Sequence, residues 1–143
     1  MAQLKEGRHD MAYFLYSLIN PIHRTQSLAD VLKYKVEPYC IAADIYSNPQ
    51  HPGRGGWTWY TGSASWAYKT GIENILGLHK LGDQLTIEPC VPTEWQEFTI
   101  RFRHGNSTYI IKYQRPETPD ISNGQNPTII TLVDDGQEHE VLI

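Results

Sequence analysis

The hydrophobic pattern of the 143-residue chain changes its period once, close to Gly82. Before that point, the apolar residues of Ala64–His79 recur at the spacing of one helix face. Gly82 then has the position of a helix C-cap. Beyond it, apolar and polar residues alternate, most clearly over 98–103, as expected of half-buried strands. The change predicts an α+β chain, with helices over 1–81 and a β layer over 82–143.

Two further helices are predicted upstream. Residues 1–20 are apolar on two faces, so a helix there needs packing neighbours on two sides, as in a helical bundle or barrel. Ser27 is predicted to cap a short helix over 28–35 that turns three apolar residues inward. These residues are Leu28, Val31 and Leu32. The apolar run 38–46 fits either an extended segment or a buried helix.

The second half divides into strands at turn-forming residues. Leu85 and Ile87 belong to a first strand, and residues 98–103 and 108–113 form a hairpin around a turn at 104–107. Residues 115–127 are rich in Pro, Asn and Gly and are predicted to be irregular. Two more strands, 129–133 and 139–143, flank an Asp-Asp-Gly-Gln turn.

Composition excludes several classes of function. The formal net charge of −4 argues against a general nucleic-acid or anionic-membrane binder. Neither a signal-peptide pattern nor an apolar run of about 18 residues is found, so we expect a cytoplasmic segment without membrane contact. Cys40 and Cys90 have no metal-binding spacing and lie among apolar residues, which predicts reduced core cysteines. No metal site and no cofactor are expected.

Residues 53–66 are the most unusual stretch, with four glycines, four aromatics and one arginine. Glycine permits positive φ and close approach of the backbone, and Trp and Tyr offer flat apolar faces with a polar edge. Thr61, Gly62 and Ser63 lie at or just before a predicted helix N-terminus, where free N–H groups and the helix dipole favour an anion. Aromatic faces beside an anion site predict a sugar and a phosphate held together.

Four segments of the chain are distinctive, and they read GRGGWTWYTGSASW, GIENILGL, GDQLTIEPCVPTEW and LVDDGQEHEV. Together they resemble glycoside hydrolase family 94, which contains inverting glycoside phosphorylases. Within this family the chain is most similar to the C-terminal phosphorylase-like region of cyclic β-1,2-glucan synthases. Residues 18–22, 34–39 and 42–46 carry that similarity.

The resemblance implies a fold and a reaction. Residues 1–81 would be the last helices of an (α/α)6 barrel, and residues 82–143 a C-terminal β-sandwich. In the family, an Asp of the barrel protonates the glycosidic oxygen while inorganic phosphate attacks the anomeric carbon from the opposite face. That Asp belongs to an earlier barrel loop, which this chain does not contain. The chain therefore has no catalytic residue of its own, and we expect it to be inactive in isolation.

The resemblance also implies a phosphate site. The family's phosphate-binding Thr-Gly pair matches Thr61 and Gly62, and Ser63 adds a neighbouring backbone N–H. The simpler interpretation of Thr61 is an N-cap, which is compatible with phosphate binding. Cys40–Ala43 has no side-chain amide where the disaccharide phosphorylases have a phosphate-binding Gln.

A sugar-facing wall is implied for the aromatic residues of the same stretch. Trp57, Trp59 and Tyr60 would shape this wall, and Arg54 would assist in holding an anion or substrate. The alternative is that the aromatic residues only pack under a loop and that Arg54 braces it through carbonyl oxygens.

The predicted partners are a β-glucan oligosaccharide and phosphate, together with the rest of the barrel or another copy of the chain. The synthase resemblance allows a membrane-associated parent protein. The competing hypothesis is a free-standing carbohydrate-binding or scaffold module, in which Trp57 and Trp59 bind glucan without chemistry.

Overall fold

The computed structural model describes residues 2–37, 39–58, 61–116 and 127–143. Within these residues, four α-helices, one 3-10 turn and one π-helical turn occupy the first half of the chain. They are α1 (Ala2–Lys5), α2 (His9–Ile19), the 3-10 turn Pro21–Arg24, α3 (Leu28–Tyr34), α4 (Thr61–Lys69) and the π turn Thr70–Ile75. Six strands follow. They are β1 (Leu78–Leu81), β2 (Gln84–Ile87), β3 (Glu97–His104), β4 (Ser107–Gln114), β5 (Thr128–Thr131) and β6 (Glu138–Leu142). The predicted α+β class is confirmed.

The short helix α3 forms as its N-terminal residues predict. The Ser27 hydroxyl accepts a hydrogen bond from the Asp30 N–H at 3.2 Å, and the Asp30 carboxylate accepts one from the Ser27 N–H at 3.1 Å. This reciprocal pair satisfies two N–H groups that a helix leaves without partners. The helix ends at Lys35, which has a left-handed φ of 53°. Upstream, the predicted helix over 1–20 is interrupted at Gly7, where φ is +69°.

The long helix ends earlier than its periodicity predicts. After α4 and the π turn the chain reaches Gly77, with φ of +71°, and Leu78 already begins strand β1. A side chain on Gly77 would collide with the Glu88 carbonyl. Gly77 O also accepts a hydrogen bond from Glu88 N at 2.9 Å. The prediction that the helix extends to His79 with Gly82 as its cap was wrong, because tertiary contact with residues 88–89 fixes the turn at Gly77.

The strands form two three-stranded sheets. In the first, β2 lies between β1 and β5 and pairs with both in antiparallel register. In the second, β4 pairs antiparallel with β3 and parallel with β6. The strands on either side of the Asp-Asp-Gly-Gln turn therefore belong to different sheets. The chain crosses from one sheet to the other at that turn.

The two sheets bury side chains in one shared core. Its buried members come from strands of both sheets and from the residue after β5, and they are Leu78, Leu85, Ile87, Tyr109, Ile111 and Leu132. The helical half contacts this β layer through aromatic packing of Tyr13 against Trp95, with ring centroids 5.3 Å apart. The Asp10 carboxylate also accepts a hydrogen bond from the Thr93 N–H at 2.7 Å. These contacts hold α2 against the segment between β2 and β3.

The helices leave much of their apolar surface exposed. The inward orientation predicted for three residues of α3 is wrong for this chain, since Leu28 is 75% exposed and Leu32 61% exposed. The residues of α2 that share this exposure are Met11, Phe14, Leu15, Leu18 and Ile19. Among the described residues, no helix combines the length and apolar character needed to span a bilayer.

Candidate functional site

The glycine-rich stretch pairs with residues 43–46. These residues belong to the apolar run 38–46, for which the sequence fitted an extended segment and a buried helix equally well. Tyr46 N donates to Arg54 O, Gly56 N to Asp44 O and Ala43 N to Trp57 O, each at 2.8 Å. These bonds form a short antiparallel ladder centred on a bridge between Ile45 and Gly55. Residues 44–46 are therefore extended, and together with Ala43 they hold residues 54–57 in a defined register.

Gly55 lies against the protein interior. Its N–H donates to the carbonyl of Tyr34 at 2.8 Å, which connects the ladder to the end of α3. A side chain on Gly55 would collide with Val36 and press on the ring of Tyr34. The Tyr34 ring is 2% exposed, and burial raises the pKa of its hydroxyl. Glycine is required at this position for packing within the protein, and not for the approach of a ligand to the backbone.

Gly53 and Gly56 are each needed for a different structural reason. Gly53 has φ of +80°, which closes the turn and lets its N–H reach the Tyr46 carbonyl at 2.7 Å. A side chain on Gly56 would collide with the carboxyl group of Asp44. The Asp44 carboxylate thus occupies the space above the backbone of Gly56.

The N-terminus of α4 is open to solvent. The helix begins at Thr61, and both Gly62 and Ser63 are exposed. A side chain on Gly62 would meet nothing within 4 Å. Since the first N–H groups of an α-helix have no partner within the helix, this end can accept an anion.

The other predicted site residues are only partly visible. Arg54 is exposed, and Trp57 is 64% exposed. Trp59 and Tyr60 lie outside the described residues, as does the side chain of Thr61. The structure therefore places Arg54 and Trp57 on the ladder, and Gly62 and Ser63 at the start of α4.

A second polar cluster lies in the β layer. Asp135 accepts hydrogen bonds from Gln137 N at 3.0 Å and from Ser107 Oγ at 2.9 Å, and it lies 3.0 Å from His139 Nε2. The backbone bond from Gln137, followed by the contacts with His139 and Ser107, lowers the pKa of Asp135 to about 2. Because Ser107 donates to Asp135 and not to His139, the three form no nucleophile–base pair. Their role is to fix the turn between β5 and β6.

The described residues hold no group of three or more His, Cys, Asp or Glu side chains that could bind a metal ion. Cys40 is buried and Cys90 half-buried, and both are free thiols. Burial, followed by the nearby Glu88 charge, raises the pKa of Cys90.

Residues 1–77, which include the ladder, the N-terminus of α4 and the π turn, match the family model described as "Glycosyl hydrolase 94 superfamily, catalytic domain". The chain belongs to the glycosyl hydrolase 94 superfamily. The ladder and the start of α4 are thus parts of a glycosyl hydrolase 94 catalytic domain.

Two relatives show how this glycosyl hydrolase 94 chain compares with longer proteins. It is 43% identical over 115 residues to the cyclic beta-(1,2)-glucan synthase NdvB of Rhizobium meliloti (strain 1021), covering 80% of the chain and 4% of that protein. It is 30% identical over 151 residues to N,N'-diacetylchitobiose phosphorylase of Vibrio furnissii, covering 100% of the chain and 18% of that enzyme. The chain therefore spans less than a fifth of the length of either relative.

A third relative is also named as a phosphorylase. The glycosyl hydrolase 94 chain is 29% identical over 114 residues to solabiose phosphorylase of Paenibacillus borealis, covering 78% of the chain and 14% of that enzyme. Two of these three relatives are named as phosphorylases and one as a glucan synthase.

Sequence reasoning did not select Asp44 and Tyr46 as site residues. The signal was present in their spacing, because residues two apart on an extended segment share a face. It could not be used while residues 38–46 fitted a helix equally well.

Proposed function

We propose that this chain is the C-terminal part of a longer inverting glycoside phosphorylase or cyclic β-1,2-glucan synthase that acts on β-linked glucans with phosphate. The helices up to the π turn contribute the last helices of its (α/α)6 barrel, and the strands from β1 onwards form its β-sandwich domain. The general-acid Asp and the remaining phosphate ligands come from the rest of the parent protein. The relatives described above support this proposal, because one is named as a cyclic glucan synthase and another as a phosphorylase.

The observation that carries the proposal is the open N-terminus of α4. Gly62 and Ser63 are exposed there, and the space beside Gly62 is empty. Inorganic phosphate is an anion at neutral pH, so it needs to be held and oriented more than deprotonated. Backbone N–H groups at a helix N-terminus, with the positive end of the helix dipole, provide such a site. The Thr61 hydroxyl completes it in this proposal.

The sugar lies against the aromatic residues that precede the helix. Trp57 is largely exposed and follows directly from the ladder, and Trp59 and Tyr60 extend the wall in this proposal. Arg54 contributes a cation on the same segment. Phosphorolysis needs a surface that holds the pyranose ring and an anion site beside its anomeric carbon, in addition to the general acid.

The exposed apolar faces of the helices support the proposal that this chain is part of a longer protein. Phe14 is 55% exposed and Ile22 is 71% exposed, and other large apolar side chains of the helices are exposed as well. Monomeric soluble proteins rarely expose large continuous apolar surfaces. The missing barrel helices of the parent protein, or a second copy of the chain, would cover them.

A phosphate titration of the ¹⁵N-labelled chain followed by NMR tests the proposed site. We expect millimolar affinity, with the largest amide shifts at Gly62 and Ser63 and none at Gly136, which lies in the turn between β5 and β6. Sodium chloride at matched ionic strength is the control for salt effects.

Substitution of Thr61 distinguishes the contribution of its hydroxyl to phosphate binding from that of the backbone N–H groups at the helix N-terminus. Thr61→Val should weaken phosphate binding, whereas Thr99→Val, at an exposed position on β3, should leave it unchanged. Equal shifts at β-layer amides, or none at Gly62, would remove the basis of the proposal.

A further inference from the structure

We infer that Asp44 is a sugar-binding residue of this site, whose carboxylate accepts hydrogen bonds from the hydroxyl groups of a β-linked glucose unit. The inference rests on the proposed function, because it extends the sugar wall by one residue on the paired segment. It assigns a role to a side chain that the phosphate site and the aromatic wall do not use.

The ladder determines which side chains share a face with Asp44. Side chains alternate along extended segments, and paired residues point to the same side. Asp44 pairs with Gly56, and Tyr46 pairs with Arg54. Gly55 and its pair Ile45 occupy the opposite face, which packs on Tyr34 and Val36. Asp44, Tyr46 and Arg54 therefore lie together on the outer face.

The Asp44 carboxylate is placed on this face without a partner of its own. Its carboxyl atoms are the three nearest neighbours of the space above Gly56, so the carboxylate lies over the glycine backbone. Across the described residues, it makes no ion pair and no side-chain hydrogen bond. The side chain is exposed, so both oxygens remain available to a ligand.

Arg54 lies near Asp44 without pairing with it. The two are diagonal neighbours in the ladder, a relationship in which Cα atoms are about 7–8 Å apart. In the described part of the chain, Arg54 forms no ion pair closer than 4 Å with any carboxylate. A carboxylate and a guanidinium held apart in this way can be bridged by a group that both donates and accepts hydrogen bonds.

A sugar has the chemistry that fits such a face. Each hydroxyl of glucose donates one hydrogen bond and accepts others, so it can donate to Asp44 and accept from Arg54. Hydrogen bonds to ionised groups are stronger than those between neutral ones. Gly56 has no side chain to obstruct the space beside the carboxylate, and the next residue, Trp57, is exposed. An anion such as phosphate would be repelled by Asp44, which separates this position from the start of α4.

Titration with sophorose, the β-1,2-linked glucose disaccharide, tests the inference in the absence of phosphate. We expect amide shifts at Asp44, Gly56 and Trp57 of the labelled chain. Asp44→Asn keeps the shape of the side chain and should weaken sophorose binding about tenfold, since a bond to a charged acceptor is replaced by one to a neutral acceptor. Asp44→Ala should weaken binding at least as much. Glu94→Gln removes one exposed carboxylate elsewhere and is the matched control.

The sophorose and phosphate titrations can each contradict a different statement about the chain. Sophorose affinity that is the same in Asp44→Asn, Asp44→Ala and the wild type would overturn the inference, as would failure of the wild type to bind sophorose. Retained amide dispersion shows that each variant is folded. The phosphate shifts at Gly62 and Ser63 are measured on the same samples, and their loss in the wild type would overturn the proposed function instead.

Discussion

The hydroxyl of Ser107 donates a hydrogen bond to the Asp135 carboxylate at 2.9 Å and accepts one from the Asp135 N–H, also at 2.9 Å. It accepts a further bond from Gly136 N at 3.0 Å. Ser107 is fully buried and begins β4, whereas Asp135 lies in the turn between β5 and β6. This single side chain therefore joins the turn that crosses between the sheets to the central strand of the second sheet.

Ser107→Ala should lower the free energy of unfolding by about 1–3 kcal/mol, because the Asp135 and Gly136 N–H groups of the turn lose their acceptor. Urea unfolding followed by circular dichroism measures the change. Ser47→Ala, at an exposed loop position, should change stability by less than about 0.5 kcal/mol. A Ser107→Ala variant as stable as the wild type would show that the turn is held by other contacts.

The stability of the fold should depend on pH through Asp135. Its pKa is lowered from 3.8 to about 2 in the folded chain, so folding favours the ionised form. The resulting stabilisation is present above pH 3.8 and disappears as the pH falls from 3.8 towards 2. Unfolding experiments between pH 5 and 2 should show a shallower loss for Asp135→Asn than for the wild type. Asp83→Asn is the control for the change in charge.

The shared core of the two sheets should respond strongly to truncation. Leu85 is 0% exposed on β2, so Leu85→Ala should cost about 2–5 kcal/mol of unfolding free energy. Leu81 is 85% exposed on the neighbouring strand, and Leu81→Ala should cost less than about 0.5 kcal/mol. Chemical denaturation of the two variants compares them directly. Similar losses would contradict the buried position of Leu85.

The glycines of the site should differ in their tolerance of a methyl group. Gly55→Ala forces a collision with Val36 and should destabilise the fold by about 1–3 kcal/mol. Gly62→Ala meets open space in the first turn of α4 and should stabilise the helix by at most about 1 kcal/mol. Hydrogen exchange over residues 43–57 should accelerate in the first variant only. Equal exchange in both variants would contradict the packing of the ladder.

The chain alone should not release glucose 1-phosphate from β-linked glucose oligomers and phosphate. General acid catalysis contributes roughly 10²–10⁴-fold to such reactions, and the acid belongs to the part of the proposed parent protein that precedes this segment. A coupled assay for glucose 1-phosphate measures the activity. Turnover that copurifies with the chain and is lost in Thr61→Val would show that the segment is catalytically complete.

Local chemistry made several elements predictable. Ser27 and Asp30 form their capping pair within a few residues, so α3 could be placed from the sequence within one residue. The alternation over 98–103, the turn at 104–107 and the return strand depend on neighbouring residues, and β3 and β4 pair as expected. The fourteen-residue glycine and tryptophan stretch was specific enough to indicate the family, and the match of residues 1–77 confirms it.

Contacts between distant segments decided the rest. Gly77 and Gly82 both have positive φ, and only the approach of Glu88 shows that the helix ends at the first. Similarly, the strands around the Asp-Asp-Gly-Gln turn are adjacent in sequence but pair with β2 and β4 in separate sheets. The assignment of Gly55 to packing and of Asp44 to the outer face also needed the ladder register.

The amino-acid sequence by itself determined the α+β division, the capped helix, the main hairpin and the family, because each depends on short-range periodicity, turn chemistry or a contiguous motif. Only the tertiary structure decided where the long helix ends, which sheet each late strand joins and which side chains surround the glycine-rich ladder. These features depend on which distant backbone groups meet and on the space between them, and a linear pattern contains neither.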